Sequence, residues 1–285
     1  MSAPTVRRRQ LGRTLRALRE SVGLKQDDVA ARSEAKLNGA KVSRIENAKV
    51  AASSADVTLI LDAIGVTDDD LRAGLLKLTR EGARRGWWQS YRSVLSPAYE
   101  DLISLESEAD TISTWQPTAI PGLLHTAEYA REIITATAMT EAAEVRVDAL
   151  VEVRLARQMV LTRDNPLTLW AIIGEAALRA RCSDDRIMTD QLARLVSLAR
   201  LPNITIQVLP VTAAPHVGQM GAFSLLGYGA HSGLSVAHIE SLTSALYVED
   251  QSDVAVYHDA VARLRAAALP PGESTNLIAE IRDSK

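Results

Sequence analysis

Residues 24–47, LKQDDVAARSEAKLNGAKVSRIEN, read as a helix, a turn and a second short helix with a basic, polar outer face. Lys25-Gln26-Asp27-Asp28 opens the first of these helices and puts acidic side chains in its first turn, where the peptide dipoles favour negative charge. Val29 and Ala30 face inward, and the turn spans roughly residues 33–39. In the next helix, 39–47, Val42 and Ile45 point inward, while Asn38, Lys41, Ser43 and Arg44 are left outward. Lys and Arg pair with guanine edges or phosphates, and Asn pairs with adenine. A short helix carrying that face suits the major groove of duplex DNA.

Leu11, Leu15, Leu18 and Val22 recur at helical spacing and predict an amphipathic helix over residues 8–22, ended by Gly23. Its other face carries Arg9, Arg13, Arg16 and Arg19. Residues 56–64 predict a fourth helix, and Thr67-Asp68-Asp69-Asp70 caps a fifth. Residues 1–80 are therefore expected to form a compact all-α domain.

With 285 residues and 47% hydrophobic content, the chain is long enough for two domains with a sizeable core. Net charge is −3 overall but unevenly split. Residues 1–80 hold 15 Lys and Arg against 10 Asp and Glu, a net of +5; the remainder holds 17 against 25, a net of −8. A basic head on an acidic body points to nucleic acid for the head and something else for the body. Apolar runs such as 167–174 and 204–209 fall well short of the roughly 20 residues of a membrane-spanning helix. The opening MSAPTVRRRQ has charge but no following apolar region, so no secretory signal is expected and a cytoplasmic, nucleoid-associated location fits. A single cysteine, Cys182, excludes an intramolecular disulfide and a cysteine-based metal cluster.

Residues 81–96 read as a linker entering an aromatic junction, with Gly82, Gly86 and Arg84-Arg85 ahead of Trp87, Trp88 and Tyr91. With Trp115 these aromatics anchor either a core or a ligand pocket, to which residues 121–125, ending in His125, are a concave neighbour. Residues 97–285 form the second domain. Ser96-Pro97 starts an acidic helix running to about Asp110, and Pro117, Pro121 and Gly122 then break the chain. Helices follow at 126–136 and 141–161. LTLWAII, NITIQVLP, GAFSLLGY, SVAHIES and SALYVED are short β-rich segments, with a helix over 184–201 between the first two. Helices at 252–268 and 274–282 close the chain. The expected class is α+β: an all-α head and a mixed α/β body with four or five strands.

Two resemblances sharpen this reading. LGRTLRALRESVGLKQDDVAARS followed by KVSRIENAKV is similar to the lambda-repressor-like DNA-binding domain of Xre/Cro-type helix-turn-helix regulators, whose third helix centres on [KS]-x-S-x-[IW]-E-x-G. The resemblance implies that Gln26 bonds a DNA phosphate, that Ser43 and Arg44 lie at the DNA face, and that Glu46 braces helix three. Ala48 stands where the pattern has Gly, and residues 49–54 lack the usual Pro, so a different turn after helix three is expected. In the body, PGLLHTAEYARE (121–132), RLARQMVL (154–161), EAALRA (175–180), QLARLVSLARLPNITIQVLP (191–210), GAFSLL (221–226) and VYHDAVARLRAAALPPGES (256–274) resemble the C-terminal domain of unknown function that accompanies such heads in a large actinobacterial regulator family. Many members have PGLLQT where this chain has His125. That family implies a regulator of development or antibiotic production, often encoded beside a very small companion protein.

Nothing in the sequence asks for catalysis. The histidines at 125, 216, 231, 238 and 258 include no pair at the spacing of a helical zinc site, so neither metal nor cofactor is expected. His238 and Glu240 alternate on one strand face, which reads better as a partly exposed polar face than as a proton-transfer pair. Cys182 reads as a small buried hydrophobe, and Glu175, just after a strand, as a residue at a cleft mouth. The sequence thus leads to a non-enzymatic regulator that binds a near-palindromic double-stranded operator as a homodimer. Asn38, Lys41, Ser43 and Arg44 are its candidate base contacts, and Arg9, Arg13, Gln26 and Lys49 its candidate phosphate contacts. The body senses a small-molecule effector, around Trp87, Trp88, Tyr91, Trp115 and His125, docks a small companion protein on its acidic helix or a strand edge, or serves only as a dimerisation scaffold.

Overall fold

The computed structural model describes residues 6–34, 36–81, 87–138, 146–228, 234–241 and 244–285. The chain divides into two compact units: residues 1–87 together with 228–234, and the remainder.

The first unit is helical. Its elements are α1 (Val6–Ser21), α2 (Gln26–Arg32), α3 (Gly39–Glu46), α4 (Ser54–Ile64) and α5 (Asp69–Glu81). Leu11, Leu15, Val29, Leu37, Val42, Ile45, Val57, Ile60, Leu61 and Leu75 are buried together as its core. Local chemistry sets the boundaries. Gly23 takes a left-handed φ of 71° just past α1. The Asp28 carboxylate accepts from the Lys25 backbone N–H at the start of α2. Ser53 and Asp56 cap α4 reciprocally, and Asp68 accepts from the Leu71 N–H at the start of α5. Val22, expected on the apolar face of α1, lies beyond the helix end and is 50% exposed; the inward stripe stops at Leu18 and Arg19.

α1 crosses α3 at Gly12. A Cβ built there would lie 2.5 Å from the Glu46 carbonyl oxygen and 2.7 Å from that of Ile45, both backbone atoms that cannot swing aside. Gly12→Ala should therefore force the helices apart at a cost of about 1–3 kcal/mol, despite alanine's better helix propensity. Urea unfolding of the full chain checks this; an unchanged or raised midpoint would show that the crossing is not tight.

The second unit is α+β. After a 3-10 helix (Trp87–Tyr91) come α6 (Pro97–Glu106), β1 (Thr111–Gln116), a 3-10 turn (Gly122–Leu124), α7 (Ala127–Thr137) and α8 (Val147–Arg157), which continues as a 3-10 helix (Gln158–Leu161). β2 (Thr168–Gly174), α9 (Glu175–Arg179), α10 (Asp185–Leu198), β3 (Ile204–Leu209), a 3-10 turn (Val217–Met220), β4 (Phe223–Tyr228), β5 (Leu234–Glu240) and β6 (Ala245–Val248) follow, then α11 (Gln251–Ala267) and α12 (Pro271–Asp283). The strands form one mixed sheet in the order β3-β2-β1-β4-β5-β6. β1, β2 and β3 run parallel, with Thr111 opposite Thr168 and Leu169 opposite Ile204; β4 runs antiparallel to β1, and β6 to β5. Such parallel strands need helical crossovers, supplied by α7 and α8 and by α9 and α10.

α11 lays Val254, Ala260, Val261 and Leu264 on Trp115, Ile172, Leu209, Phe223, Leu225 and Ala237 of the sheet region. α12 is tied to β3, because Ser274 Oγ accepts from the Val208 N–H and Leu269 donates to the Val208 carbonyl. All five β-rich segments of the sequence are strands, but the sheet has a sixth, β1, and it is an inner one. TISTWQ offers β-branched and aromatic residues, yet only Ile112 and Trp115 are apolar, at a spacing that breaks the period-2 alternation of a strand, and it follows an acidic helix. The last helix starts at Pro271 rather than Ser274, because proline's fixed φ suits the first helical turn. The described part of the helix expected over 141–161 is α8 with its 3-10 extension; residues 139–145, and residues 82–86 of the expected linker, lie outside the described residues.

Candidate nucleic-acid interface

Helix α3 is anchored from within. Val42 and Ile45 are buried, and Glu46, its last residue, is 3% exposed although charged. The Glu46 carboxylate takes both hydrogen bonds of an Arg19 fork, Nε to Oε1 at 2.6 Å and Nη2 to Oε2 at 2.9 Å. It also accepts from Gln26 Nε2 at 2.8 Å, and Arg16 Nε stands 3.8 Å from it. Arg19 belongs to α1 and Gln26 opens α2, so one carboxylate clamps three helices. Arg19 Nη1 also donates to the Leu24 carbonyl at 2.7 Å. The hydrogen bonds to Glu46 outweigh the burial that opposes its charge and hold the Arg19 guanidinium above its ordinary pKa. The expectation that Glu46 braces helix three thus has a geometry. Its partner Arg19, expected on the basic outer face of α1, is instead buried.

Beyond that clamp the sequence-derived contacts separate by environment. Asn38 is exposed and caps α3, its Oδ1 accepting from the Lys41 N–H at 2.7 Å, so its amide nitrogen faces outward from the helix start. Ala40, Arg44 and Asn47 form one exposed stripe. Arg44 Nε reaches its own helix at the Ala40 carbonyl, 3.3 Å away. Ser43 is half-buried, and its carbonyl accepts from Asn47 Nδ2. Lys41 is drawn sideways: its Nζ lies 2.7 Å from Asp56 Oδ1. Burial alone would raise the Asp56 pKa, but the hydrogen bonds from Lys41 and Ser53 outweigh it and leave the carboxyl below its ordinary range. Of the candidate phosphate contacts, Arg13 and Lys49 are exposed, Arg9 is half-buried, and Gln26 is held by Glu46.

Two further surface residues lie outside the candidate DNA contacts read from the sequence. Asn47 extends the exposed stripe, and Arg16 Nη2 donates to Asn47 Oδ1 at 3.2 Å, tying α1 to the end of α3. Their signal was present, since Asn47 falls three residues after Arg44 on the same helical face. Ala48, where the family pattern has Gly, takes the left-handed conformation itself with φ 56° and is buried. The turn after α3 therefore keeps the backbone a glycine would adopt, contrary to the expectation of a different turn; tertiary contacts override the alanine penalty.

In the body, the proposed aromatic pocket does not converge. Trp88 and Tyr91 pack on Leu95, Ile103 and Val153. Trp115 is 3% exposed in the cluster under α11, donates its indole N–H to the Gly218 carbonyl at 2.8 Å and meets His216 edge-on. Trp87 is 39% exposed. His125 lies in a different setting again, against Tyr129 and the Ile120 carbonyl. Trp115 is thus a core residue, placed there because a central strand buries its large apolar side chains. His238 is buried against Tyr247 while Glu240 is exposed, so their shared strand face is not a uniformly wet one. Glu175, rather than facing an open cleft, joins two strand ends: it accepts from the Val211 N–H at 3.1 Å and pairs with Arg179. Its pKa is lowered chiefly by that backbone hydrogen bond. Cys182 is half-buried and its thiol is pushed up by burial. Among the described residues no group of His, Cys, Asp and Glu is placed to hold a metal ion, and no helix is long and apolar enough to cross a membrane.

Two family models match the chain. One, described as a helix-turn-helix domain, covers residues 10–75. The other, described as a domain of unknown function (DUF5753), covers residues 99–280. No curated protein and no solved structure matches.

Proposed function

Because the chain belongs to the DUF5753 family and carries a helix-turn-helix domain ahead of it, which marks a DNA-binding regulator, we propose that it is a sequence-specific transcriptional regulator of the Xre type. In this reading it binds a near-palindromic operator as a homodimer, with α3 in the major groove, and acts on development or secondary-metabolism genes. The observation that carries it is the division of α3: Val42, Ile45 and Glu46 lock the inner face, and Asn38, Ala40, Arg44 and Asn47 are presented outward. Arg44 and Asn38 are the primary base readers, and Ala40 suits a thymine methyl. Lys41 and Ser43 border that face, with Lys41 available to DNA when its pair with Asp56 opens. Arg9, Arg13, Gln26 and Lys49 take phosphates, joined by Arg16.

Recovery of genomic fragments by the purified full chain tests this. The wild type should enrich a short palindrome whose half-sites lie about 34 Å apart or a multiple of it. Arg44→Ala should lower operator affinity about 10- to 100-fold and relax selection at one base position while leaving the fold intact. Raising salt from 50 to 200 mM should cost both proteins roughly 10³–10⁵ in affinity if each dimer makes about 6–10 phosphate contacts. Equal enrichment by wild type and variant would remove α3 from the reading role. A monomer bound at one half-site with full affinity would overturn the dimer.

For the body, a non-catalytic sensory role is the first reading, in which an effector alters the spacing of two heads. Docking of a small companion protein is the second. It is favoured by the sheet edge at β6, which among the described residues pairs only with β5 and leaves Leu246 60% exposed. Co-purification of a small neighbour-encoded protein that is lost on Leu246→Lys would support the second reading; effector-dependent tryptophan quenching would support the first.

A further inference from the structure

Three arginines of the second unit surround the turn at residues 121–125. Arg154 and Arg157 come from α8 and Arg194 from α10, and all three guanidinium groups oppose a proton on His125. His125 is 1% exposed, and its Nε2 lies 2.7 Å from the Ile120 carbonyl. A carbonyl only accepts, so Nε2 carries the hydrogen and Nδ1 turns a lone pair toward Arg154 Nη1, 3.5 Å away. The imidazole is neutral and compensates none of the three cations.

The carboxylate of the cluster is Glu106, and Arg157 takes both its oxygens, at 2.8 and 2.6 Å. Arg154 and Arg194 form no ion pair among the described residues, and the Nε of each is buried without a hydrogen-bond partner. Arg194 Nη2 donates to Gln158 Oε1 at 2.6 Å, while Gln158 Nε2 donates to the His125 carbonyl at 2.9 Å, which fixes Arg194 to the turn. The backbone of Gly122 runs beside Arg154, whose guanidinium carbon lies 3.9 Å from where a Cβ would stand. Burial holds the Arg194 pKa below its ordinary value. A lysine in such a place would shed its proton, but a guanidinium does not near neutral pH, so only an anion neutralises it. Both side chains remain half-exposed and can meet a solute.

We propose that Arg154, beside Gly122, and Arg194, tied to the His125 carbonyl through Gln158, form at the 121–125 turn a binding site for the oxyanion of a small solute, a phosphate or a carboxylate. The planar guanidinium forks suit either group, and the unpaired N–H groups supply the donors. This rests on the sensory reading of the body and names the chemical class of its effector.

Calorimetric titration of the full chain with inorganic phosphate and, separately, citrate, at ionic strength held constant with chloride, tests the site. Saturable binding of at least one anion is expected, weakened at least about tenfold by Arg194→Gln and by Arg154→Gln. Arg263→Gln, which removes a 71% exposed arginine of α11, should leave it unchanged. The glutamine variants remove an uncompensated charge and should melt no lower than wild type without anion, so loss of binding is separable from loss of fold. Preference for phosphate over citrate, or the reverse, identifies the group. No saturable heat with either anion, or affinity unchanged in both variants, overturns the site. Binding lost in the variants while operator affinity ignores the anion upholds the site and overturns the sensory reading alone.

Discussion

Replacing Glu46 with alanine should melt the first unit of the chain while leaving the second folded. The carboxylate is 3% exposed and accepts from Arg19 of α1 and Gln26 of α2 while sitting at the end of α3. Without it the Arg19 guanidinium, 6% exposed, stays charged and keeps the Leu24 carbonyl and the exposed carboxylate of Glu20 as its partners. Removing one member of a buried ion pair costs about 3–5 kcal/mol, a large share of the roughly 5–15 kcal/mol that holds a typical domain. Peptide-resolved hydrogen exchange on the full chain reads the effect by region: protection should collapse over residues 26–46 and persist in β1, β2 and β3. Arg19→Met combined with Glu46→Leu should recover most of that protection, because apolar side chains of similar volume replace a buried pair at little cost. If the single variant kept native protection in the head, the clamp would contribute nothing and the apolar core alone would hold α3.

That clamp also marks the limit of what the sequence made legible. Periodicity located the helices of the head, because each is amphipathic over a few turns and capped by its own neighbours. It placed Arg19 with Arg9, Arg13 and Arg16 on one outer face, since a helical pattern cannot reveal that a carboxylate 27 residues away will draw one arginine inward. Only the resemblance hinted at the role of Glu46. Ala48 shows the converse. Local propensity argues against a left-handed alanine, and the fold imposes one. In the body the five strands with dense Val, Ile and Leu were legible, whereas β1, with Thr, Ser and Gln at four of its six positions, was not. Its neighbours β2 and β4 supply the burial that defines it as a strand. The aromatic residues divide for the same reason: nearness along the chain joins Trp88 and Tyr91 to Trp115, and the fold puts them in separate core clusters. Arg154 and Arg194, which form no ion pair among the described residues, have no local signature, since they lie on different helices.

The second unit should lose stability as soon as pH falls below about 6.5, before its carboxylates begin to protonate. Burial, reinforced by Arg154, pushes His125 down to about 3, and burial with a smaller contribution from Arg157 pushes His238 down to about 4. Both values lie below the ordinary 6.5, so between pH 6.5 and those values the unfolded chain binds protons that the folded chain refuses. Stability therefore rises with pH through this window, is fully present above about 6.5 and is lost progressively below it. At pH 5 each histidine accounts for about 2 kcal/mol, or about 4 kcal/mol together, by the 1.36 kcal/mol that one pKa unit represents. Urea unfolding of the full chain at steps from pH 7.5 to 5 should show this fall in the transition of the second unit. His125→Gln isolates half of it. A glutamine amide can donate to the Ile120 carbonyl as the imidazole does, but it does not titrate, so the variant should match wild type at pH 7.5 and exceed it by about 2 kcal/mol at pH 5. A pH dependence identical in wild type and variant would mean that His125 takes up its proton in the folded state, at a 1% exposed position and against three guanidinium groups. The buried, neutral imidazole is what the geometry requires: its only N–H is committed to a backbone oxygen, and a second proton at Nδ1 would face Arg154 directly.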